Sequence, residues 1–203
     1  KINLHYLILR VCFYIKILEN WEFEVFNIIK ELFKINISIL VIVTCYIGYY
    51  LGLRSLDLKM IELDSWLTFT FLVLGTFLSS SGASVLNQYI EREYDAKMDR
   101  TKNRPIPSKK ISALNALIIG LILSISGPLF LYLTVNELTA LISGLTIIIY
   151  VMIYTPSKRL TSFNTIIGSI PGALPPVGGW AAATGQVDIK AIIVFTSRYK
   201  WNK

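Results

Sequence analysis

Ser65–Ile90 reads SWLTFTFLVLGTFLSSSGASVLNQYI without one charged side chain, and it runs directly into Asn87–Pro105, NQYIEREYDAKMDRTKNRP, which holds four acids and five bases. An uncharged run of that length supplies the roughly 20 residues an α-helix needs to cross a hydrocarbon core of about 30 Å. The abrupt change to charge marks a membrane edge. Four more uncharged runs fit the same reading: Ile35–Leu53, Ile111–Asn136, Leu138–Ser157 and Leu160–Val187. Barrel strands would instead alternate over stretches of about ten residues. The expected fold is all-α, a polytopic transmembrane helical bundle of about five spans, because helices satisfy their own backbone groups in lipid.

Composition agrees. With 54% hydrophobic residues and a mean hydropathy of +0.57 over 203 residues, the chain is too apolar for an ordinary soluble domain. The net charge of +7 could point to nucleic acid, but the bases follow the topology. Arg92, Lys97, Arg100, Lys102, Arg104, Lys109 and Lys110 come after the second run, and Lys158 and Arg159 after the fourth. The loops after the first, third and fifth runs carry Asp57, Glu62, Asp64, Glu137 and Asp188. Since Lys and Arg collect on cytoplasmic loops, the segments after runs two and four are expected in the cytoplasm, together with the N-terminus. The expected partner is the lipid bilayer, with no nucleic acid.

The chemistry concentrates in the charged stretch. If it is helical, Asn87, Glu91, Asp95 and Asp99 recur every four residues and drift across an arc of roughly 120°, sharing one face. Pro105 disfavours an α conformation before it, so that helix is expected to end before Arg100, Lys102 and Arg104. Magnesium takes hard oxygen ligands and is usually held by one or two carboxylates plus substrate phosphates. Metals that neutralise a diphosphate ester make it a good leaving group. Lys102, Arg104, Lys158 and Arg159 lie on the same expected side and could grip that group. An allylic cation left behind needs no nucleophile, only a dry cavity and aromatic faces such as Tyr89, Tyr150 and Tyr154. Spacing alone leaves the bland alternative open, a solvated connector whose acids and bases merely support a helix.

Other features carry less. Cys12 and Cys45 sit among apolar residues, where Cys packs as a small hydrophobe. His5 is the single histidine, so catalysis that requires histidine is not expected. Residues 1–18 fit neither a signal peptide nor a span. From Glu19 to Lys34, Trp21, Val25, Ile28, Ile29 and Leu32 follow helical spacing, which suits an amphipathic helix on the cytoplasmic surface or one packed on the bundle. The fifth run contains Pro171, Pro175 and Pro176 among several glycines. It reads either as a kinked helix at a seam or as a broken helix lining a cavity.

These residues also carry a resemblance. Asn87, Glu91 and Asp95 match the spacing of the first acidic motif of the UbiA superfamily of intramembrane prenyltransferases, an Asn followed by Asp four and eight positions on. Two further segments resemble its protohaem IX farnesyltransferase branch: MDRTKNRP (Met98–Pro105) and YTPSKRLTSFNTIIGSIPGALPPVGGWAAATG (Tyr154–Gly185). The resemblance runs from about residue 31 to about 193. It implies transfer of farnesyl from farnesyl diphosphate to a vinyl group of protohaem IX, with addition of water, to give haem O. It also implies Mg2+, a cytoplasm-facing site in the bacterial inner membrane, and contact with haem A synthesis or terminal oxidase assembly. Carried residue by residue, it makes Asn87, Glu91 and Asp95 metal–diphosphate ligands, with Asp99 a further acid. Arg100, Lys102, Arg104, Lys158 and Arg159 become the substrate-binding bases.

Two departures stand out. Glu91 occupies a position where Asp is usual, one methylene longer but still a hard carboxylate. The resemblance also implies about nine spans of roughly 20 residues each, and a second acidic motif in a later loop. The chain is thus expected to be an N-terminal part, with little transferase activity alone. Its expected divisions are an N-terminal cytoplasmic segment at 1–34, the first half of the membrane domain at 35–190, and a tail at 191–203 outside the family. Rival readings are a UbiA-type enzyme for an aromatic or quinone acceptor, a transporter, or a non-catalytic bundle. Against a transporter, no Asp, Glu, Lys, Arg or His falls inside any expected span.

Overall fold

The computed structural model describes residues 23–160 and 163–201. The readings of residues 1–18, His5, Cys12 and Trp21 lie outside the described residues. Helix α1 covers 23–32, and a turn at 33–34 leads into α2 (Ile35–Ser55). Then follow α3 (Leu63–Asp95), α4 (Ala113–Thr134) and α5 (Glu137–Ile148). A π-helical segment (Ile149–Tyr154) continues α5 into α6 (Thr155–Leu160), and α7 (Asn164–Thr184) and α8 (Ile189–Trp201) complete the order. Among the described residues there is no strand, and the all-α expectation holds.

Among the described residues, four helical stretches are long and apolar enough to cross a membrane: Ile35–Ser55, Leu63–Asp95, Ala113–Thr134 and Glu137–Leu160. The chain is an integral membrane protein. The fifth expected span is also a helix of 21 residues, but Pro, Gly and Ala take the place of Leu and Ile. It is one continuous helix with its three prolines inside, and its buried stretch from Pro176 to Ala182 packs among neighbouring helices. Small residues permit that approach. A Cβ on Gly48 of α2 would collide with the Pro176 carbonyl of α7, and one on Gly82 of α3 would meet the Ser124 backbone of α4.

At 33 residues, α3 is about 50 Å long at 1.5 Å per residue, well beyond a hydrocarbon core of about 30 Å. Its C-terminal turns therefore project past the apolar layer, which is where Asn87, Glu91 and Asp95 lie. The helix stops earlier than the four-residue spacing predicts. Its C-cap is Ala96, and the Thr101 hydroxyl donates to the Asp95 carbonyl at 2.9 Å, an acceptor that a continuing helix would offer to the Asp99 N–H. Asp99 thus leaves the stacked face.

Short polar contacts fix the remaining ends. Ser112 caps α4 by accepting from the Asn115 N–H, and Asn136 caps α5 by accepting from the Thr139 N–H. Helix α8 is started by Asp188 accepting from the Ala191 N–H. Helix α1 is tied to the bundle by Leu32, buried with Val85, Ile106 and Ala116, and by a Glu24–Lys110 ion pair at 3.2 Å. The C-terminal end of this helix thus packs on the bundle, while Phe23 and Phe26 stay exposed.

Candidate active site

Three side chains on successive turns of α3 each face a cation delivered by a different element. Lys34 Nζ, from the turn between α1 and α2, donates to Asn87 Oδ1 at 2.8 Å. Lys158 Nζ, from α6, donates to Glu91 Oε1 at 3.0 Å. Arg104, from the loop after α3, donates to Asp95 Oδ2 at 2.7 Å. The result is a ladder with oxygen on one rail and nitrogen on the other. Asp95 and Glu91 are well shielded, at 7% and 14% side-chain exposure, so these pairs operate in a medium less screening than water.

Asn87 is fully buried and held from both sides. Its Nδ2 donates to Thr155 Oγ1 at 3.0 Å, and the Thr155 hydroxyl in turn donates to the Tyr150 carbonyl at 2.8 Å. That carbonyl lies in the π-helical segment. Pro156 explains the segment, since it lacks the N–H that would bond to the Met152 carbonyl and its ring crowds that group. Widening to the π form relieves the conflict, and π-turns of this kind recur at functional sites. It also brings Thr155 to Asn87.

The local field acts on Lys34. Burial pushes its ammonium down to about 8, helped by the nearby Arg104 and Lys158 charges and opposed by Glu91 and Asp95. The ladder sets two acids against three bases, an excess of basic groups that suits an anion. Among the described residues, no three His, Cys, Asp or Glu side chains form a ready-made metal cage. Two carboxylates and an amide oxygen nevertheless fit magnesium, which completes its shell with water and substrate phosphate. With a cation held there, Lys34, Lys158 and Arg104 would be the bases left to face an anion.

A cavity of about 370 Å³ opens beside the ladder, within the usual range for small-molecule sites. Leu40, Leu72, Ile142 and Ile147 supply apolar wall, and Tyr150 and Tyr154 line it with ring centroids 5.5 Å apart. Pro171 and Gly172 of α7 belong to its lining, so this helix is unbroken and faces the cavity. Lys158 lines the cavity, sits 4.8 Å over the Tyr154 ring and holds Glu91. Charge and cavity meet at that residue.

The other expected residues separate. Asp99 and Lys102 pair with each other at 2.8 Å, with side chains 98% and 53% exposed, away from the shielded ladder. The expectation that Asp99 shares the acidic face is corrected by the early end of α3. Arg100 is exposed. Arg159 lies 3.3 Å from the centre of the Tyr94 ring. Tyr89 carries Arg92 at 4.5 Å from its ring centroid and is not part of the cavity lining. Lys34 and Thr155 were missed by sequence reasoning. Pro156 was the available signal for Thr155, whereas Lys34 looked like one more topogenic base.

Residues 40–199 match the UbiA prenyltransferase family. A protoheme IX farnesyltransferase of Solibacter usitatus is 41% identical over 84% of this chain and 59% of its own length. One from Flavobacterium psychrophilum is 36% identical over 88% of the chain and 57% of its length, and the human mitochondrial protein of that name is 37% identical over 86% and 38%. The chain thus spans less than two thirds of the length of these relatives. A solved structure described as digeranylgeranylglyceryl phosphate synthase in membranes superposes with a TM-score of 0.70, covering 87% of this chain and 59% of that one at 23% identity. At that identity the likeness speaks to the fold.

Proposed function

Because the chain belongs to the UbiA prenyltransferase family, we propose that it serves the transfer of a farnesyl group from farnesyl diphosphate to a vinyl group of protohaem IX, with addition of water, giving haem O. Asn87, Glu91 and Asp95 are the residues that would hold Mg2+, which when bound supplies charge neutralisation for the departing diphosphate. Arg104 and Lys158 face the same group as fixed cations, placed where negative charge develops as the C–O bond breaks and its electron pair leaves with the diphosphate. The cavity holds the apolar chain and keeps water from it. Tyr150 and Tyr154 offer ring faces to the allylic cation. The farnesyl carbon then bonds to the terminal vinyl carbon, and water adds at the adjacent carbon with loss of a proton. The Lys and Arg bias supports a site facing the cytoplasm, and relatives from bacteria support the cell membrane as its location.

The observation that carries this reading is the double membership of Lys158, which joins the carboxylate ladder to the cavity wall. The complete gene that contains this sequence can be expressed in cells that lack haem O, and the extracted haems weighed by mass spectrometry. Haem O that disappears on substituting both Glu91→Ala and Asp95→Ala is expected. Absence of haem O, or haem O indifferent to those changes, would contradict the reading.

A further inference from the structure

Gln88 is fully buried beside Asn87, and its Nε2 donates to two consecutive carbonyls, Glu31 at 3.1 Å and Leu32 at 2.7 Å. Both carbonyls lie in the last turn of α1, where helical acceptors run out, and Glu31 also accepts the Lys34 N–H at 3.3 Å. Two residues on, Lys34 has φ 47° and ψ 53°, the left-handed region that a residue with a Cβ rarely adopts unless its surroundings impose it. That turn redirects the chain into α2 and aims the Lys34 side chain at Asn87 Oδ1. Two neighbouring residues of α3 therefore hold one turn, Gln88 by the backbone before it and Asn87 by the side chain within it. Among the described residues the Gln88 Oε1 has no partner, so the amide bonds through its donor side.

We propose that Lys34 contacts the diphosphate of the prenyl substrate as a third cation, beside Lys158 and Arg104, and that Gln88 is the residue that positions it. This rests on the reading of the ladder as a diphosphate site. Lys34 is within reach because its present partner, the Asn87 oxygen, belongs to the face that would take the metal. Gln88 acts only through the turn, since its amide touches the α1 carbonyls and not the site.

The test is calorimetric titration of inorganic diphosphate, with Mg2+, into the full chain in lipid nanodiscs. Lys34→Met is expected to weaken binding on the order of tenfold, as for loss of a charged hydrogen bond, and Lys34→Arg to restore most of it. Gln88→Met should weaken it several-fold, as should Gln88→Asn, which keeps an amide but is one methylene too short to reach both carbonyls. Combined with Lys34→Met, neither should add a further loss, because both act through one cation. If wild type binds diphosphate and Lys34→Met binds it equally well, the inference is overturned while the diphosphate site stands. Multiplying losses in the double variants would overturn the positioning role of Gln88. If wild type binds no diphosphate, the reading beneath the inference fails as well.

Discussion

Lys158 and Glu91 lie 67 positions apart in sequence and meet at 3.0 Å, joining α6 to the last turns of α3. Their pairing sets a partly buried charge against a partly buried charge, so removing either leaves the other uncompensated. Glu91→Gln is expected to weaken Mg2+-dependent binding of farnesyl diphosphate by about 10–100-fold, and Lys158→Met by about tenfold. Glu91→Asp should stay within a few-fold of wild type. Titration of farnesyl diphosphate in nanodiscs measures all three.

The exposed pair Asp99–Lys102 offers the contrast. Ion pairs at full exposure are screened and contribute little. Asp99→Asn and Lys102→Met are each expected to alter the same binding by less than about twofold. A loss as large as that from Glu91→Gln would place Asp99 back on the acidic face.

Lys34 gives the binding a pH dependence. Its pKa in the free site is depressed to about 8, and a bound anion favours the charged form and raises it. Binding therefore takes up a proton. Below pH 8 this group adds no slope. Above it the affinity should fall, by up to about tenfold per pH unit, until the bound-state pKa is passed. In Lys34→Arg, whose side chain stays charged, that fall should vanish. A slope unchanged in this variant would assign the dependence to another group.

Thr155 links Asn87 to the π-helical segment. Thr155→Val keeps the shape but leaves a buried Asn87 N–H unpaired, a cost of about 1–3 kcal/mol. A lower midpoint of thermal unfolding in detergent is expected, with Thr155→Ser close to wild type. Equal midpoints for Val and Thr would show that the bond carries no stability.

Much of this was legible in the residues because lipid imposes simple rules. Long uncharged runs gave the helices, and the four-residue recurrence of Asn87, Glu91 and Asp95 gave the oxygen rail. Both are local patterns. The nitrogen rail was only partly readable, since Lys34, Arg104 and Lys158 come from three segments and meet through tertiary packing. Lys34 reaches the site through a left-handed turn that no lysine advertises. Asp99 was misplaced because periodicity cannot see a Thr101 hydroxyl taking the carbonyl that would have extended the helix. The continuity of α7 depended on close contacts such as Gly48 against Pro176, which spacing of prolines does not reveal.

The central claim is that Asn87, Glu91 and Asp95 gather Mg2+ so that farnesyl diphosphate binds at the mouth of the cavity. Its most direct measurement is retention of radiolabelled farnesyl diphosphate by the chain in nanodiscs as Mg2+ is titrated, compared with the Glu91→Gln plus Asp95→Asn variant. Retention that rises with Mg2+ in wild type and stays flat in the variant is the expected result. Retention that ignores Mg2+, or rises equally in both, would contradict the account.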